Sequence, residues 1–275
     1  MTGNNSKPPK HSVIAAERRR RILNRIRAQG SVSVSDLARE LNVGVTTIRQ
    51  DLNSLDQQGK VIRSHGGAMA RGTARPSPPY AQTRSERMEE KSWISEAALS
   101  FVPLSGRCFI GPGTTTLQFV KKIAAGRNLR VATNGLEIAL HLASAGIATV
   151  DFFSGTVRAD SLSVDISIPS SDIDDLNWDV CFIGAAAVDV VRGLTTLDKA
   201  AMRWERKVLE HSNKRILLCD SSKIGASAYA RICPVDIIDV LITDDGIDPD
   251  EADQFRAKGV DVIITGPTPT DAHRA

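Results

Sequence analysis

The chain has 275 residues, of which 41% are hydrophobic and 24% are charged, and its formal net charge is +3. This length allows one large and one small domain, and the composition is ordinary for a soluble globular protein. The sequence has no cysteine or histidine pairs at metal-ligand spacing, no signal peptide and no apolar run long enough to cross a bilayer, so we expect a cytoplasmic protein with no metal, no cofactor and no membrane partner.

The charge is unevenly distributed along the chain. Residues 1–72 carry 13 Lys or Arg against 5 Asp or Glu, a net of +8, whereas the remaining 203 residues carry 22 against 27, a net of −5. A basic segment on an acidic body is typical of a protein whose one end contacts a polyanion. A solvated basic face would give the same distribution, so charge alone leaves nucleic-acid binding as one of two interpretations.

The basic segment begins with two helical patterns. We expect a disordered N-terminus at 1–12 and a compact domain at 13–70. The first helix is predicted from Val13 to about Ala28, and the second begins after Ser33, a preferred helix-capping residue. The arginines around the first helix are expected to steer and hold the DNA backbone.

A third helix is predicted after a glycine-containing turn. It runs from about residue 45 to 58, and Ile48, Leu52 and Leu55 form one buried stripe along it. A short strand at 60–63 and a Gly-Gly tip follow. Two helices joined by such a turn and followed by a strand are typical of a winged helix-turn-helix, whose second helix lies in the DNA major groove.

The opposite face of this third helix carries side chains that can contact bases. Arg suits guanine, Gln and Asn suit adenine, and Thr suits phosphate or a thymine methyl group, while residues of the wing suit phosphate or the minor groove. The predicted DNA-binding residues are Ser33, Val45, Thr46, Thr47, Arg49, Gln50, Asn53, Arg63, His65 and Gly66. An ordinary three-helix unit with a solvated polar face would give the same pattern, so both interpretations stay open.

Two segments of this domain resemble a known family. Residues 41–52 are Leu-Asn-Val-Gly-Val-Thr-Thr-Ile-Arg-Gln-Asp-Leu, and residues 63–68 are Arg-Ser-His-Gly-Gly-Ala. They resemble the DeoR family of bacterial sugar-metabolism repressors, with its patterns L-x-V-S-x-x-T-I-R-R-D-L and R-x-H-G-G-A. The resemblance implies a repressor that binds a double-stranded DNA operator. Gly44 replaces the usual Ser, so a hydroxyl cap is absent, and Gln50 replaces the second Arg, which removes one positive charge.

A linker rich in Gly, Pro, Ser, Arg and Glu is predicted at 71–90. From 91 to 266, short apolar runs alternate with helical patterns, which predicts a larger α/β domain with a mainly parallel sheet and a flexible tail at 267–275. The predicted strands are Arg107–Ile110, Leu129–Ala132, Thr149–Phe153, Val180–Ile183, Arg215–Cys219, Val240–Thr243 and Val260–Thr265. The predicted helices include Thr116–Ala125, Leu136–Ala145 and Lys199–His211. Three of the four cysteines lie in apolar runs, so we expect buried free thiols.

The first of these strands leads into Gly111-Pro-Gly-Thr-Thr-Thr116 and then into a helix. Glycines permit a tight turn, and the following N–H groups and hydroxyls suit an anion. The loop lacks the lysine of a Walker motif and the third glycine of a dinucleotide fingerprint, and Pro112 removes one N–H group. Many such turns are rich in Gly and Thr merely to turn, so anion binding is one of two interpretations.

Other predicted strands also end in small or polar residues. In an open α/β sheet the carboxyl ends of the strands line the ligand crevice. Asp220-Ser-Ser-Lys223 places an acid, two hydroxyls and an ammonium there, although a capped turn explains this segment equally well. The predicted effector-binding residues are Gly113, Thr114, Thr115, Thr116, Asn134, Gly155, Gly184, Asp220, Ser222 and Lys223.

The larger domain also resembles the DeoR-type effector domain, which is similar in fold to ribose-phosphate isomerase. The matching segments are 113–116, 133–134, 193–196 and 220–223. The resemblance implies that the threonine loop holds phosphate, with Lys223 and Asn134 near the sugar. Departures from the family pattern occur at Gly111-Pro112, at Ser154 and at Ala187-Val188-Asp189, and a usual acidic residue is replaced by Ala200 or Ala201.

We therefore expect a homo-oligomeric transcription regulator, a dimer or tetramer, whose operator affinity changes when a phosphorylated sugar or related metabolite binds. An isomerase fused to a DNA-binding head is the alternative. Isomerisation needs a carboxylate base, and its usual position is Ala200 or Ala201, although Glu205 lies one turn further along. A nucleotide-binding or structural adaptor is a third alternative, weakened by the poor dinucleotide fingerprint.

Overall fold

A computed structural model describes residues 10–29, 31–58, 60–64, 67–70, 80–166 and 171–267. The chain divides into two compact units, Met1–Pro76 and Ser77–Ala275. Within the described residues, no helix combines the length and the apolar character that crossing a membrane requires.

The N-terminal unit is a winged helix-turn-helix. Its helices are α1 (Lys10–Gln29), α2 (Val34–Leu41) and α3 (Val45–Gln57), and its strands are β1 (Ser31–Ser33), β2 (Val61–Ser64) and β3 (Gly67–Ala70). The strands form an antiparallel sheet in the order β1-β3-β2. Helix α1 begins at Lys10, inside the segment predicted to be disordered, and β1 and β3 were not predicted because three- and four-residue strands carry almost no periodic signal.

The two helices of the helix-turn-helix differ in how they begin. The Ser33 hydroxyl accepts a 3.0 Å hydrogen bond from the backbone N–H of Asp36 and so caps α2. Gly44 precedes α3 and makes no side-chain cap, which confirms the predicted absence of a hydroxyl cap. Asn42, with φ of 50°, supplies the left-handed residue that ends α2 and allows the tight turn between the helices.

The C-terminal unit has strands and helices in alternation. Its helices are α4 (Tyr80–Ser85), α5 (Met88–Ala98), α6 (Thr114–Val120), α7 (Leu136–Ser144), α8 (Ser171–Asp174), α9 (Lys199–Glu210) and α10 (Pro249–Ala257). The strands of its main sheet are β4 (Ser105–Ile110), β5 (Asn128–Thr133), β6 (Ala148–Phe152), β9 (Trp178–Ile183), β12 (Ser212–Leu218), β14 (Val240–Asp244) and β15 (Asp261–Thr265). All seven predicted strands are present in this sheet.

The main sheet is parallel throughout and has the order β15-β14-β12-β9-β4-β5-β6. From β4 the chain proceeds outward through β5 to β6, and from β9 it proceeds outward in the other direction. The strand order therefore reverses between β4 and β9. In open parallel sheets a crevice forms at this point, beyond the carboxyl ends of the strands.

The sheet is the middle layer of three, because alternate side chains of each strand enter different cores. Cys108 and Ile110 of β4 belong to the core that includes residues of α5, α6 and α7, whereas Phe109 belongs to the core that includes residues of α9 and α10. Burial on both faces explains why the strands are continuous apolar runs. The α/β fold with a mainly parallel sheet is thus as predicted.

The C-terminal unit also contains smaller sheets beside the main one. They consist of β7 (Gly155–Val157) paired with β8 (Val164–Ile166), and of β10 (Ala187–Asp189), β11 (Gly193–Thr196) and β13 (Ala230–Cys233). Sequence patterns did not predict them, since strands of three or four residues lack a clear period.

The predicted linker at 71–90 needs a correction: residues 80–85 form α4, α5 begins at Met88, and both helices belong to the C-terminal unit. Residues 71–79 and the predicted tail from 268 onward lie outside the described residues.

The four cysteines are free and buried, as predicted. Burial raises the pKa of Cys108 and Cys233 to about 12 and that of Cys181 to about 11. These thiols are therefore protonated at neutral pH and unreactive.

Candidate nucleic-acid interface and ligand crevice

Helix α3 separates its apolar and polar faces as the spacing predicts. Ile48, Leu52 and Leu55 are at most 1% exposed and fill the core of the unit. The predicted base-contacting residues lie on the other side, with Val45, Thr46, Gln50 and Asn53 exposed and Thr47 and Arg49 half-buried. The structure therefore presents a polar helix face of suitable chemistry, and its contact with DNA stays a prediction.

The arginines of α1 also have partners inside the unit, in addition to their predicted contact with the DNA backbone, which stays a prediction. Arg18 and Arg19 both pair with Asp51, a residue of α3 that is only 4% exposed, and Arg19 also donates to Ser54 at 2.7 Å. Other α1 arginines pair with Glu17 or with Glu40 of α2. Several of these guanidinium groups are thus engaged inside the unit, so they hold helices together as well as contributing positive charge.

The wing, formed by β2 and β3, places Arg63 close to Arg49 of α3. The backbone N–H of Arg63 donates to Asp56 at 3.4 Å, and Arg63 Nη1 is buried without a hydrogen-bond partner. Burial lowers the pKa of Arg63, and the nearby Arg49 lowers it further, against the opposing effect of Asp56. Two guanidinium groups thus lie near each other beside the polar face of α3, which suits a phosphate. Predicted residues His65 and Gly66 lie outside the described residues.

Ser33 is a different case among the predicted DNA-binding residues. Its hydroxyl caps α2 and lies 3.0 Å from the Ser35 hydroxyl. The structure therefore accounts for Ser33 through local structure, and a DNA contact remains only a prediction.

In the C-terminal unit, the loops after β4 and β9 meet where the strand order reverses. The Gly111 N–H donates to Phe182 O at 2.9 Å, and a Cβ placed on Gly184 would come no closer than 4.0 Å to Pro112 O and Leu218 O. A Cβ at Gly184 would therefore fit between the two loops without moving either. The region at the carboxyl ends of β4 and β9, together with the loops that follow β5, β12 and β14, is here called the crevice.

The threonine loop is compact and internally bonded. Gly113 has φ of +153°, and its carbonyl accepts a 3.0 Å hydrogen bond from Thr116 Oγ1. Thr116 is fully buried, while Thr114 and Thr115 are each 8% exposed. The Thr116 hydroxyl therefore stabilises the turn, which leaves Thr114, Thr115 and Gly113 as the predicted residues nearest to solvent in this loop.

Two other predicted effector residues have structural partners. Asn134 Nδ2 donates to Val164 O at 3.1 Å and so anchors the β7–β8 hairpin over the end of β5. Gly155 lies in that hairpin, where a Cβ would approach Asp165 O to 1.9 Å, so glycine is needed for the close backbone approach. Their contact with an effector stays a prediction.

The Asp220–Lys223 segment is a capped turn, as one of the two interpretations had it. Asp220 is 3% exposed, and its carboxylate accepts hydrogen bonds from the backbone N–H and the hydroxyl of Ser222. Ser221 donates twice to the buried Asp244, at 2.6 Å from its N–H and 2.7 Å from its hydroxyl. The turn thus joins the ends of β12 and β14, and a ligand contact with Lys223 stays a prediction.

Sequence reasoning missed two cations that lie beside this turn. Arg87 has ion pairs with Asp220 at 3.8 Å and with Asp244 at 3.9 Å. Lys91 is 2% exposed, and burial lowers its pKa while Asp220 raises it. A signal for Lys91 was present, because it shares the buried stripe of Ile94, Ser95 and Ala98 at helical spacing. Both residues fell inside or beside the predicted linker and were not considered.

The region that lacks the usual acid is organised around Asp198. The Asp198 carboxylate accepts from Ala200 N at 2.8 Å, caps α9 and pairs with Arg158. Burial, together with the Asp198 charge, raises the pKa of Glu205 to about 8. Glu205 is therefore largely protonated at neutral pH. No group of three or more His, Cys, Asp or Glu side chains within the described ranges is arranged to hold a metal ion.

Comparison with known proteins matches both units. The model of the DeoR-like helix-turn-helix domain matches residues 18–73, and that of the DeoR C terminal sensor domain matches residues 86–245. The transcriptional regulator GlpR of Haloferax volcanii is 29% identical over 91% of this chain and 98% of its own length. The glycerol-3-phosphate regulon repressor of Escherichia coli K12 is 27% identical over 83% of this chain and 90% of its own length.

The similarity to solved structures is weaker than the similarity to these families and relatives. Ribose 5-phosphate isomerase A from Neisseria gonorrhoeae superposes with a TM-score of 0.36 and 20% identity, over 50% of this chain and 53% of its own. A TM-score this low supports no conclusion about activity.

Proposed function

Because the chain belongs to the DeoR family of transcription regulators, we propose that it represses carbohydrate-metabolism genes from the cytoplasm and leaves its operator when a phosphorylated sugar or related metabolite binds in the crevice. The observation that carries the proposal is the fusion of two units in one chain. One presents a polar recognition helix, and the other has a crevice at the reversal of a parallel sheet.

The N-terminal unit supports operator binding through its geometry. The first residues of a recognition helix contact base edges in the major groove. On α3 these positions are Thr46, Thr47, Arg49 and Gln50, beside the Arg63 guanidinium of the wing. A single unit of this size buries little DNA surface, so we expect a homo-oligomer, a dimer or tetramer, bound to a symmetric operator.

The C-terminal unit supports an anionic effector. The crevice is bordered by Gly113, Thr114 and Thr115 on one side and by the turn that carries Lys223 on the other. The E. coli relative is named for a regulon of glycerol 3-phosphate. A phosphorylated three- to six-carbon compound fits this chemistry, because the phosphate supplies the charge and the hydroxyls can pair with polar groups of the strand ends.

Catalysis is not part of the proposal. Relatives that align along most of this chain are named as regulators. The acid expected after the Gly193–Thr196 strand is absent at Ala200 and Ala201. We infer that the sensor unit binds its ligand without converting it, and incubation with sugar phosphates should leave them unchanged by NMR.

Capture of genomic DNA fragments by the full-length protein tests operator binding. We expect a few discrete fragments to be enriched from the source genome at physiological salt. A Gln50→Ala variant should lose about ten-fold or more of its affinity for these fragments.

Gln57→Ala is the matched control. Gln57 has the same side chain and exposure and lies on the same face of α3, two turns towards its C-terminal end. It should bind within about two-fold of the unchanged protein, since base contacts come from the start of the helix. Equal losses in both variants, or indiscriminate capture by the unchanged protein, would contradict specific reading by α3.

A further inference from the structure

Residues 80–91, here called the strap, contain α4, the Glu86–Arg87 turn and the start of α5, and they follow the N-terminal unit in the chain. Three cationic side chains of the strap lie near residues at the carboxyl end of the sheet: Arg84, Arg87 and Lys91. At one end, Arg84 Nη1 lies 2.6 Å from Glu137 Oε1, in the first turn of the helix that follows Asn134. The strap therefore borders the crevice that the proposed function assigns to the effector.

Arg87 lies in the turn between α4 and α5 in a left-handed conformation, with φ of 53°. Such a conformation is strained for a residue with a side chain, and it persists only when surrounding contacts hold it. The contacts here are made by the guanidinium group. It lies 3.3 Å from Glu90, 3.4 Å from the Ser221 hydroxyl, 3.8 Å from Asp220 and 3.9 Å from Asp244.

These four distances are long for a charged group. Arginine–carboxylate hydrogen bonds are normally about 2.7–2.9 Å and often bidentate. The Asp220 and Asp244 side chains are only 4% and 1% exposed, and their short hydrogen bonds come from Ser222 and Ser221 instead. Arg87 therefore lies over two buried carboxylates without a well-formed pair to either, and a closer bidentate acceptor would give its donors shorter bonds.

Lys91 links the Glu86–Arg87 turn of the strap to the Asp220–Lys223 turn. Its ammonium donates to Thr83 O and, at 2.6 Å, to Glu86 O, the carbonyls that end α4 and begin the turn. Asp220 is the carboxylate that most favours the ammonium form of this buried lysine, and Lys223 opposes it. The charges of Asp220 and Lys223 therefore act on the Lys91 ammonium, which holds the end of α4.

We propose that Arg87 is a further effector-binding residue, and that it turns from Asp220 and Asp244 to the phosphate of a ligand in the crevice, displacing the strap. The inference rests on the proposed function, because it needs an anionic ligand in this crevice. A phosphate offers the guanidinium a bidentate acceptor that the two distant carboxylates do not. Since Arg87 holds the strained turn, its movement changes the position of α4, the first helix after the N-terminal unit.

The test uses the full-length protein with glycerol 3-phosphate and ribose 5-phosphate as probes and with glycerol and ribose as neutral counterparts. Titration calorimetry gives the affinity for each probe, and hydrogen exchange of amides 80–91 reports the strap. For any phosphate that binds, we expect Arg87→Gln to weaken binding by about ten-fold or more, the usual effect of losing a charged hydrogen bond. In the unchanged protein, phosphate should alter exchange in the strap, and in Arg87→Gln this response should be lost.

Arg84→Gln is the matched control, because it removes a charge from the same strap but pairs with Glu137, away from Asp220 and Asp244. Its phosphate affinity should stay within about two-fold of the unchanged protein. Arg87→Lys serves if Arg87→Gln fails to fold: it keeps the charge without the planar fork and should still weaken binding about three-fold or more.

Failure of the Arg87 assignment and failure of the proposed function give different results. Phosphate binding and strap exchange that are the same in Arg87→Gln as in the unchanged protein would overturn the assignment of Arg87 and leave the proposed function standing. Absence of binding of both probes to the unchanged protein would overturn the effector class and the role of Arg87 together.

Discussion

Asp51 of the recognition helix and Arg18 of the first helix form an ion pair inside the N-terminal unit, with the Asp51 side chain only 6% exposed. Arg19 contacts the second oxygen of the same carboxylate at 3.3 Å. One buried carboxylate thus receives two guanidinium groups of the neighbouring helix. The orientation of α3, and with it the face offered to DNA, depends on this cluster.

Replacement of Asp51 by Ala should therefore destabilise the N-terminal unit. It leaves two partly buried cations without their partner, and removal of one member of a buried pair costs about 3 kcal/mol. Hydrogen exchange of α1 and α3 amides should accelerate by about a hundred-fold. Glu40→Ala, which removes the exposed Arg25 pair between α1 and α2, should have an effect of less than about 1 kcal/mol. Equal effects of the two substitutions would show that the Asp51 cluster does not orient the helix.

Gly44→Ser should stabilise the recognition helix. Gly44 has φ of −61° and ψ of 148°, a conformation open to any residue, and a Cβ placed there meets no atom within 4 Å. A serine hydroxyl can accept from the first N–H groups of α3, so we expect a gain of about 0.3–0.5 kcal/mol over Gly. Gly44→Ala, which adds a Cβ without an acceptor, should instead destabilise. Thermal unfolding of the three proteins checks this order, and a Ser variant no more stable than the Ala variant would contradict it.

Gln50→Arg should strengthen sequence-independent DNA binding and make that binding more sensitive to salt. The substitution adds a cation to the exposed face of α3 and restores the arginine typical of the family pattern. Each additional phosphate contact raises the slope of log K against log salt concentration by about one. Fluorescence anisotropy at several salt concentrations measures this slope. An unchanged slope would place residue 50 away from the phosphate backbone.

The pH dependence of stability should carry a contribution from Glu205. Burial and the Asp198 charge raise its pKa from 4.5 to about 8. A carboxyl group with a raised pKa favours folding in its protonated form, so its contribution is complete below pH 4.5 and is lost as the pH rises through 8. Because the side chain keeps some solvent contact, we expect a loss of about 1–3 kcal/mol between about pH 5 and 9.

Glu205→Gln should remove that loss, since the amide resembles the protonated acid and does not titrate. The exposed Glu210 of the same helix provides the control, and Glu210→Gln should keep the pH dependence of the unchanged protein. Urea unfolding at pH 5, 7 and 9 makes the comparison. Parallel pH profiles for all three proteins would show that Glu205 is not the titrating group.

Much of the frame could be predicted from sequence because its signals are local. The inner strands of the main sheet are largely apolar runs that pack on both faces, and Ile48, Leu52 and Leu55 mark one side of α3 by spacing alone. The short strands of the wing and of the smaller sheets could not be predicted, since three or four residues carry no resolvable period.

The charged contacts were harder to predict from the sequence because the two partners of each contact are distant along the chain. The pairing of Arg18 with Asp51, which is 33 residues away, had no signal in the sequence. Arg87 pairs with residues more than 130 positions further along, across the parallel sheet. Its left-handed backbone depends on those contacts and has no local signature. Lys91 is the exception, because a lysine on a buried helical stripe signals its own unusual environment.

Titration of an operator complex with sugar phosphates is the measurement that tests the central claim most directly. A fragment obtained by genomic capture would be labelled, bound by the full-length protein and titrated with glycerol 3-phosphate, ribose 5-phosphate and hexose 6-phosphates, each beside its unphosphorylated counterpart. We predict that at least one phosphate lowers operator affinity by about ten-fold or more and that its counterpart does not, with reciprocal weakening of phosphate binding by DNA. Operator affinity that stays constant with every phosphate shown by calorimetry to bind would contradict the coupling of the two units.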